Sequence, residues 1–298
     1  MLKSATGTQG PAYFGNIPYW IPIAFLFAFG FAPWIVIVIQ SFSTMDDAGH
    51  FRLLTSGQSY YEILAGYRLA VLGQILRRGL FVATLDISLA IPVAFLVVRL
   101  VPNWLRNLMI VGLTLPFFSS DVTRAFAWRE MLGGHGFVNN TLAALHLPPI
   151  DWIIFSEFGV TIALVSSTAP FAIFPIIIRL ATIRPSIWLA ADDLGIGAFR
   201  EFVFVAAPLS LPGILFGWIA SFVVTIGASA EIAMLQGTSQ LSLSKMIADL
   251  ESAREIPEVF ALCTLSGLFL FSLAILGAFA FTRTLGNHAP PSGRRKLS

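Results

Sequence analysis

The sequence predicts an all-α integral membrane protein with about six transmembrane helices in one domain. Of its 298 residues, 56% are hydrophobic and only 11% are charged, whereas soluble domains average about 25% charged residues. Long apolar runs recur along the chain, each near the ~20 residues that a helix needs to cross a bilayer. The formal net charge of +2 is too small to favour nucleic-acid binding.

The apolar runs define the predicted spans and the segments between them. The spans cover residues 19–39, 80–98, 108–128, 158–178, 213–234 and 259–281, inside a membrane domain of residues 19–285. Residues 1–18 and the basic residues 286–298 are predicted tails, and the N-terminal tail lacks the apolar core of a cleavable signal peptide. The longer connections are predicted to hold short helices at Tyr60–Leu76, near Asn140–Leu145 and within residues 235–257.

The distribution of basic residues predicts the orientation. The tails, residues 99–106 and residues 179–200 are rich in Lys and Arg, while many acids, such as Asp46, Asp47 and Glu62, fall on the opposite side. Because basic loops stay in the cytoplasm, we expect both termini to be cytoplasmic. Arg77 and Arg78 oppose this bias.

One polar stretch, residues 186–208, separates two spans. Ser186 follows Pro185 as a predicted N-cap, and Gly195 is predicted to end this first short helix in a left-handed conformation. A second short helix is predicted over Ala198–Val205, ending where Pro208 lacks an N–H. Helices this short are unstable alone, so the stretch should dock against another surface.

This stretch resembles the cytoplasmic coupling loop of ABC-transporter permeases, the membrane subunits of binding-protein-dependent importers. That family's pattern reads E-A-A-x-x-L-G-A, followed further on by L-P-x-x-x-P-G-I. The matching residues are Ala190, Ala191, Asp193, Leu194, Gly195, Pro208, Pro212, Gly213 and Ile214. Leu189 replaces the family's Glu, and Ala207 replaces the Leu before the first proline. With Ser186 as N-cap, a Glu at position 189 would complete a capping box. Its absence would lower the stability of the helix by about 0.5–1 kcal/mol.

The resemblance extends over most of residues 60–285 and is closest to the spermidine/putrescine-type branch. In Leu115–Leu142 the matching residues are Pro116, Arg124, Trp128, Leu132, Gly136 and Asn139, and Leu235–Gly237 resembles the family's Leu-Gly-Gly. Related branches that carry iron, thiamine, phosphonates or opines share these segments. The solute is therefore left open between a cationic, polyamine-like one and those alternatives.

The resemblance implies a type I ABC importer permease fold in a bacterial inner membrane. The implied partners are a second, similar permease, two ATP-binding subunits and a periplasmic solute-binding protein, besides membrane lipid. It also implies that the coupling loop contacts an ATP-binding subunit through Ala190, Ala191, Asp193, Leu194, Gly195, Phe199 and Pro208.

Three acidic residues are candidates for the substrate path. Asp86 lies inside the predicted second span, Glu231 near the end of the fifth and Asp121 close to Arg124 beyond the third. A carboxylate facing lipid costs at least about 2.5–3.5 kcal/mol, so Asp86 and Glu231 should face protein or water. Either these acids line a path for a cation, or each has a structural role. In that alternative Asp86 pairs with Arg77 or Arg78 or makes a span-bending hydrogen bond, Glu231 sits at the interface and Asp121 pairs with Arg124.

Several function classes lack their sequence signals. The chain has no G-x-x-x-x-G-K-[ST] motif, so ATP is expected to bind the partner subunits, and we expect no cofactor, metal site or enzymatic activity here. An ion-coupled secondary transporter should show repeated halves, and a structural anchor would not need the polar stretch. Gly213 and Gly217 form a GxxxG pattern, which favours close helix packing within the chain or between subunits.

Overall fold

A computed structural model describes residues 20–45, 51–52, 57–150, 152–236 and 242–286, and its helices confirm the predicted all-α membrane fold. The predicted tails, 1–18 and all but the first residue of 286–298, lie outside these residues. The first half contains α1 (Trp20–Gln40), α2 (Gln58–Leu64), α3 (Tyr67–Phe95), α4 (Asn103–Phe118), α5 (Asp121–Leu132) and α6 (Phe137–Ala144). The second half contains α7 (Glu157–Ala181), α8 (Pro185–Asp193), α9 (Ala198–Glu201), α10 (Ala207–Leu209), α11 (Leu211–Gly227), α12 (Ala230–Gln236), α13 (Leu243–Ser252) and α14 (Ile256–Gly286).

Short non-α elements complete the architecture. π-helical segments, Leu96–Leu100 and Phe202–Ala206, continue α3 and α9. Two-residue strands, β1 (Thr44–Met45) and β2 (Phe51–Arg52), pair antiparallel after α1.

Among the described residues, four helices are long and apolar enough to cross a membrane. They are Ile21–Gln40, Tyr67–Leu100, Glu157–Ala181 and Ile256–Gly277, and a fifth span results if the bent pair Ala198–Leu209 and Leu211–Gly227 is one unit. This is fewer than the six predicted. The predicted spans 19–39, 158–178 and 259–281 coincide with or lie within α1, α7 and α14, apart from residue 19, which lies outside the described part.

The predicted third span, 108–128, is broken in the structure. α4 ends at Phe118, and Ser119 and Ser120 have extended backbones before α5 begins at Asp121. Two consecutive serines favour this break because their hydroxyls compete with helical hydrogen bonding. With 16 residues, α4 rises about 24 Å, less than the ~30 Å hydrocarbon core.

The predicted second span, 80–98, is part of a much longer helix. The predicted interfacial helix Tyr60–Leu76 is split at Gly66, which has a φ of +61°, and its second part continues without interruption into the span. The helix tolerates the charge of Arg78 because this side chain donates to Glu157 of α7 at 2.7 Å. The span therefore extends from Tyr67 to Leu100.

The core is formed where α3, α7 and α11 pack against one another, and glycines set the α7–α11 contact. A Cβ added to Gly213 would lie 2.6 Å from the Pro175 carbonyl oxygen, and one added to Gly217 would lie 2.7 Å from that of Ala172. The GxxxG pattern thus brings α11 against the backbone of α7 in the same chain. Of its two predicted roles, the structure shows intramolecular packing.

The shorter connecting helices lie near their predicted positions. The helix predicted near Asn140–Leu145 is α6, and the amphipathic helix predicted within residues 235–257 is α13. The predicted fifth span, 213–234, differs, because α11 ends at Gly227 and a separate α12 carries Glu231.

Candidate functional site

The polar stretch of residues 186–208 folds as two short helices, and the first begins earlier than the sequence predicted. Arg184 is the N-cap residue and Pro185 is the first residue of α8, where its fixed φ suits the helix and its missing N–H is harmless. The prediction of Ser186 as N-cap was therefore wrong. Leu189 lies too far into α8 to belong to a capping box, so the expected cost of losing a Glu there does not apply.

Gly195 ends α8 as predicted. Its φ of +63° is the left-handed conformation that glycine adopts most easily. Ile196 N–H donates to the Ala191 carbonyl at 3.2 Å, and Gly195 N–H donates to that of Asp192 at 2.9 Å. These two bonds form a Schellman motif, which fixes the turn between α8 and α9.

The second helix passes through Pro208 instead of stopping before it, so that prediction was wrong. The π-helical segment Phe202–Ala206 has Ala207 N–H donating to the Phe202 carbonyl, five residues back. This wider turn precedes the proline, and α10 continues to Leu209. The chain then bends by 73° into α11.

The two short helices expose large apolar side chains. Leu194 and Phe199 are each 78% exposed, and Phe204 is 73% exposed. We call α8, α9 and the turn between them the hairpin. Of the residues predicted to contact a partner, the exposed ones are Ala190, Asp193, Leu194, Gly195, Phe199 and Pro208, whereas Ala191 is buried.

Arg99 lies at the end of the span that begins with α3. It binds the inner side of the hairpin, by which we mean the side that packs against the rest of the chain. Its Nε donates to Glu201 at 2.8 Å, and its Nη2 donates to Asp192 at 2.5 Å. Its guanidinium carbon also lies 5.4 Å from the ring centre of Trp188. The sequence interpretation used Arg99 only as a positive charge, because nothing local links it to acids about a hundred residues away.

Asp86 is buried in the core, where α3, α7 and α11 meet. Its Oδ2 accepts hydrogen bonds from Thr168, at 2.5 Å, and from Ser221. Arg78 pairs with Glu157, so the alternative in which it neutralises Asp86 is not what the structure shows. The Oδ1 atom of Asp86 is buried and has no hydrogen-bond partner among the described residues.

Glu231 and Asp121 meet at Arg124. The Glu231 side chain is 2% exposed, accepts from Ser167 at 2.8 Å and lies 4.0 Å from Arg124 Nη2. The same Nη2 donates to Asp121 at 2.5 Å, and Arg124 Nη1 donates to the Pro116 and Ser119 carbonyls at the end of α4. The predicted pairing of Asp121 with Arg124 is therefore present.

Consecutive hydroxyl side chains of α7 connect these polar contacts. Ser166 accepts from the Trp128 indole at 2.6 Å, Ser167 donates to Glu231, and Thr168 donates to Asp86. A Ser-Ser-Thr run inside an apolar span was the sequence signal for this buried polar region, and the sequence interpretation did not use it. The hairpin lies apart from this region, because it follows the C-terminal end of α7, whereas the three hydroxyl residues lie near the middle of that helix.

The fold is that of a multi-pass helical membrane protein. The chain belongs to the family described as binding-protein-dependent transport system inner membrane component, whose model matches residues 86–287. It is similar to the spermidine/putrescine transport system permease protein PotB of Escherichia coli strain K12, with 27% identity over 228 residues, which cover 76% of this chain and 82% of PotB.

Two further similarities extend this comparison. The inner membrane ABC transporter permease protein YdcU of the same strain is 25% identical over 278 residues, which cover 86% of this chain and 84% of YdcU. A chain in the crystal structure of a bacterial alginate ABC transporter, in complex with an alginate-pentasaccharide-bound periplasmic protein, has a TM-score of 0.64 at 16% identity, covering 88% of this chain and 90% of that one. At that identity the likeness shows the fold.

These findings establish the class of protein. The chain is an ABC importer permease with the type I fold, embedded in the membrane by several spans. Its family consists of transport components that depend on a binding protein. The secondary-transporter and membrane-anchor alternatives are thereby excluded.

Proposed function

We propose that this chain is a transmembrane permease subunit of an ATP-driven importer that carries a small cationic, polyamine-like solute into a bacterial cell. ATP binds to two separate subunits, a periplasmic binding protein delivers the solute, and a homologous but different permease forms the other half of the path. The chain lies in the inner membrane with both termini in the cytoplasm. The observation that carries this proposal is the hairpin, which exposes Leu194 and Phe199 in the stretch that matches the family's coupling loop.

The exposed face of the hairpin suits an ATP-binding subunit as its partner. Burial of apolar surface contributes about 25 cal/mol per Å², so Leu194 and Phe199 would stabilise a complex if they entered a groove. The Schellman turn at Gly195 holds these two side chains beside the turn between α8 and α9, which we call the tip of the hairpin. The exposed Asp193 beside Leu194 adds a charge that can set the register of docking.

The proposed solute class rests on the likeness to PotB and on the buried acids. Asp86 lies inside the span Tyr67–Leu100, and Glu231 is buried against Ser167 of the span Glu157–Ala181. Buried acidic groups in membrane proteins mark ion and substrate pathways. Since an alginate importer shares the fold, the fold alone does not select the charge of the solute. Iron, thiamine, phosphonate and opine transport are the competing proposals.

The test is solute-stimulated ATP hydrolysis by the assembled transporter. The complex is purified through a tag on this chain, reconstituted in liposomes with its binding protein and assayed with spermidine, putrescine and a panel of the competing solutes. We expect an ATPase subunit to co-purify and polyamines to stimulate turnover. Stimulation by another solute alone would overturn the solute class, and absence of an ATPase subunit would overturn the proposed role.

Replacing Gly195 with proline is expected to lower uptake by at least about tenfold. Proline fixes φ near −65°, so it cannot adopt the +63° that positions the hairpin tip. The Asp193→Arg variant, which reverses the charge at the tip, should act in the same direction. The measurement is solute uptake by proteoliposomes that contain equal amounts of inserted protein.

The matched control for Gly195→Pro is Gly195→Asn, because asparagine tolerates the left-handed conformation. We expect this variant to keep most of the uptake. If uptake were unchanged in both the proline and the Asp193→Arg variants, the hairpin would not be the coupling element.

A further inference from the structure

A compact set of contacts joins the inner side of the hairpin to the span that begins with α3. We call this set the Arg99 joint. Its members come from three parts of the chain and comprise Phe95, Arg99, Trp188, Asp192, Glu201 and Phe202. None of them belongs to the exposed tip that is proposed to contact a partner.

The charged half of the joint ties both helices of the hairpin to one residue. Arg99 bonds Asp192 at the end of α8 and Glu201 at the end of α9. The Glu201 side chain is only 5% exposed, so its charge depends on Arg99 for compensation. Hydrogen bonds between ionised groups are stronger and more directional than neutral ones. Both helices of the hairpin therefore form ion pairs with the same guanidinium group.

The apolar half of the joint packs beside these ion pairs. The Phe95 ring meets the Phe202 ring edge-on, with centroids 5.4 Å apart, and lies 6.5 Å from the Trp188 ring. Val97 and Ala206, from the two π-helical segments, are buried in the same core cluster. π turns are frequent at functional sites, and here one lies on each side of the contact.

The joint also connects the hairpin with the buried polar region. Arg99 and Asp86 are 13 residues apart in the continuous span Tyr67–Leu100, so the rise between them is about 20 Å. Asp86 in turn bonds α7 and α11 through Thr168 and Ser221. A shift of the hairpin that moves Arg99 along the span axis thus reaches the three helices around Asp86.

We propose that Arg99 is the positioning residue that transmits movement of the hairpin to the span Tyr67–Leu100. The proposal rests on the proposed function, in which ATP-binding subunits move the hairpin. With Arg99 in place, α8 and α9 move as one unit with the end of the span. Without it, the hairpin still docks through Leu194 and Phe199, but its movement is no longer passed to the span around Asp86.

The test is the ratio of solute transported to ATP hydrolysed by reconstituted complexes that carry Arg99→Gln. We expect the ATPase subunit to co-purify and basal hydrolysis to remain, while the ratio falls about tenfold, within the usual range of coupling between sites. Lysine keeps the positive charge but lacks the planar guanidinium that binds both acids at once. The ratio for Arg99→Lys should therefore lie between those of the wild type and Arg99→Gln. The matched control is Arg200→Gln, an exposed arginine of the hairpin, which should leave the ratio unchanged.

The outcomes separate this inference from the proposed function. If wild-type complexes couple hydrolysis to uptake and Arg99→Gln complexes keep the same ratio, the transmitting role of Arg99 is wrong while the proposed function stands. If the wild-type protein recruits no ATPase subunit, both fail. Should Arg99→Gln prevent assembly, Asp192→Asn takes its place, because it keeps the pair with Glu201. An unchanged ratio in that variant would also overturn the inference, and a reduced ratio would support it.

Discussion

Replacing both Gly213 and Gly217 with alanine is expected to remove most of the folded protein from the membrane. The added Cβ atoms would lie within 2.6–2.7 Å of backbone carbonyl oxygens of α7, and backbone cannot move aside as a flexible side chain can. Overpacking of this kind costs about 1–3 kcal/mol per site, so the pair should cost about 2–6 kcal/mol. The measurement is the yield of monodisperse protein in mild detergent together with its apparent melting temperature.

Gly73 and Gly112 provide matched controls for this prediction. Both are helical glycines, and an added Cβ would meet no atom within 4 Å at either position. Alanine is also a better helix former than glycine, so Gly73→Ala and Gly112→Ala should leave the yield unchanged or raise it. Equal melting temperatures for the control and the Gly213/Gly217 variants would show that α11 does not depend on close backbone contact with α7.

Replacing Arg124 with alanine is expected to destabilise the protein by about 3–5 kcal/mol. Glu231 is almost fully buried, and Arg124 is the basic group beside it, so the variant leaves a buried carboxylate without its counter-charge. The Ser119 carbonyl also loses its bond from Arg124 at the break between α4 and α5, and the Pro116 carbonyl keeps only the donors of Ser119. The apparent melting temperature in detergent should fall by about 6 °C or more.

A second substitution separates the charge effect from the loss of packing. Glu231→Gln removes the negative charge while keeping an amide oxygen for Ser167, so it should restore part of the stability of the Arg124→Ala protein. Arg129→Ala, at an exposed position of the same helix α5, is the control and should have little effect. If Glu231→Gln gave no recovery, the pair would not be the source of the destabilisation.

The sequence predicted spans well where hydrophobic runs are uninterrupted, as in α1, α7 and α14. It misplaced the second, third and fifth spans, because the effect of single polar residues on where a helix ends or continues was misjudged. Ser119 and Ser120 lie in a run that is apolar enough on average for a span, but they end the helix. Arg77 and Arg78 were left outside the predicted second span, 80–98, although the Arg78–Glu157 pair lets α3 continue through them.

The candidate site was predicted where its signal is local and missed where it depends on distant contacts. Gly195 follows from the left-handed turn that a short helix needs at its end. The starting residue of α8 was misplaced although Pro185 is itself a local signal for the first residue of a helix. The passage through Pro208 depends on a π turn, which the local pattern does not specify. The partners of Arg99 are 93 and 102 residues away, and no spacing rule connects them.

The contact between α1 and α14 has a consequence for biosynthesis. The Trp34 ring covers Gly267, where an added Cβ would overlap the indole, so this packing needs a residue that is translated 233 positions later. At about 5–20 residues per second, translation of the intervening chain takes about 12–47 s. During that interval the face of Trp34 that later covers Gly267 has no α14 to pack against. The docking of α1 against α14 is therefore a late event. A lipid-soluble quencher should reach Trp34 more readily in a nascent chain stalled before Gly267 than in the finished protein, where 43% of this residue stays exposed.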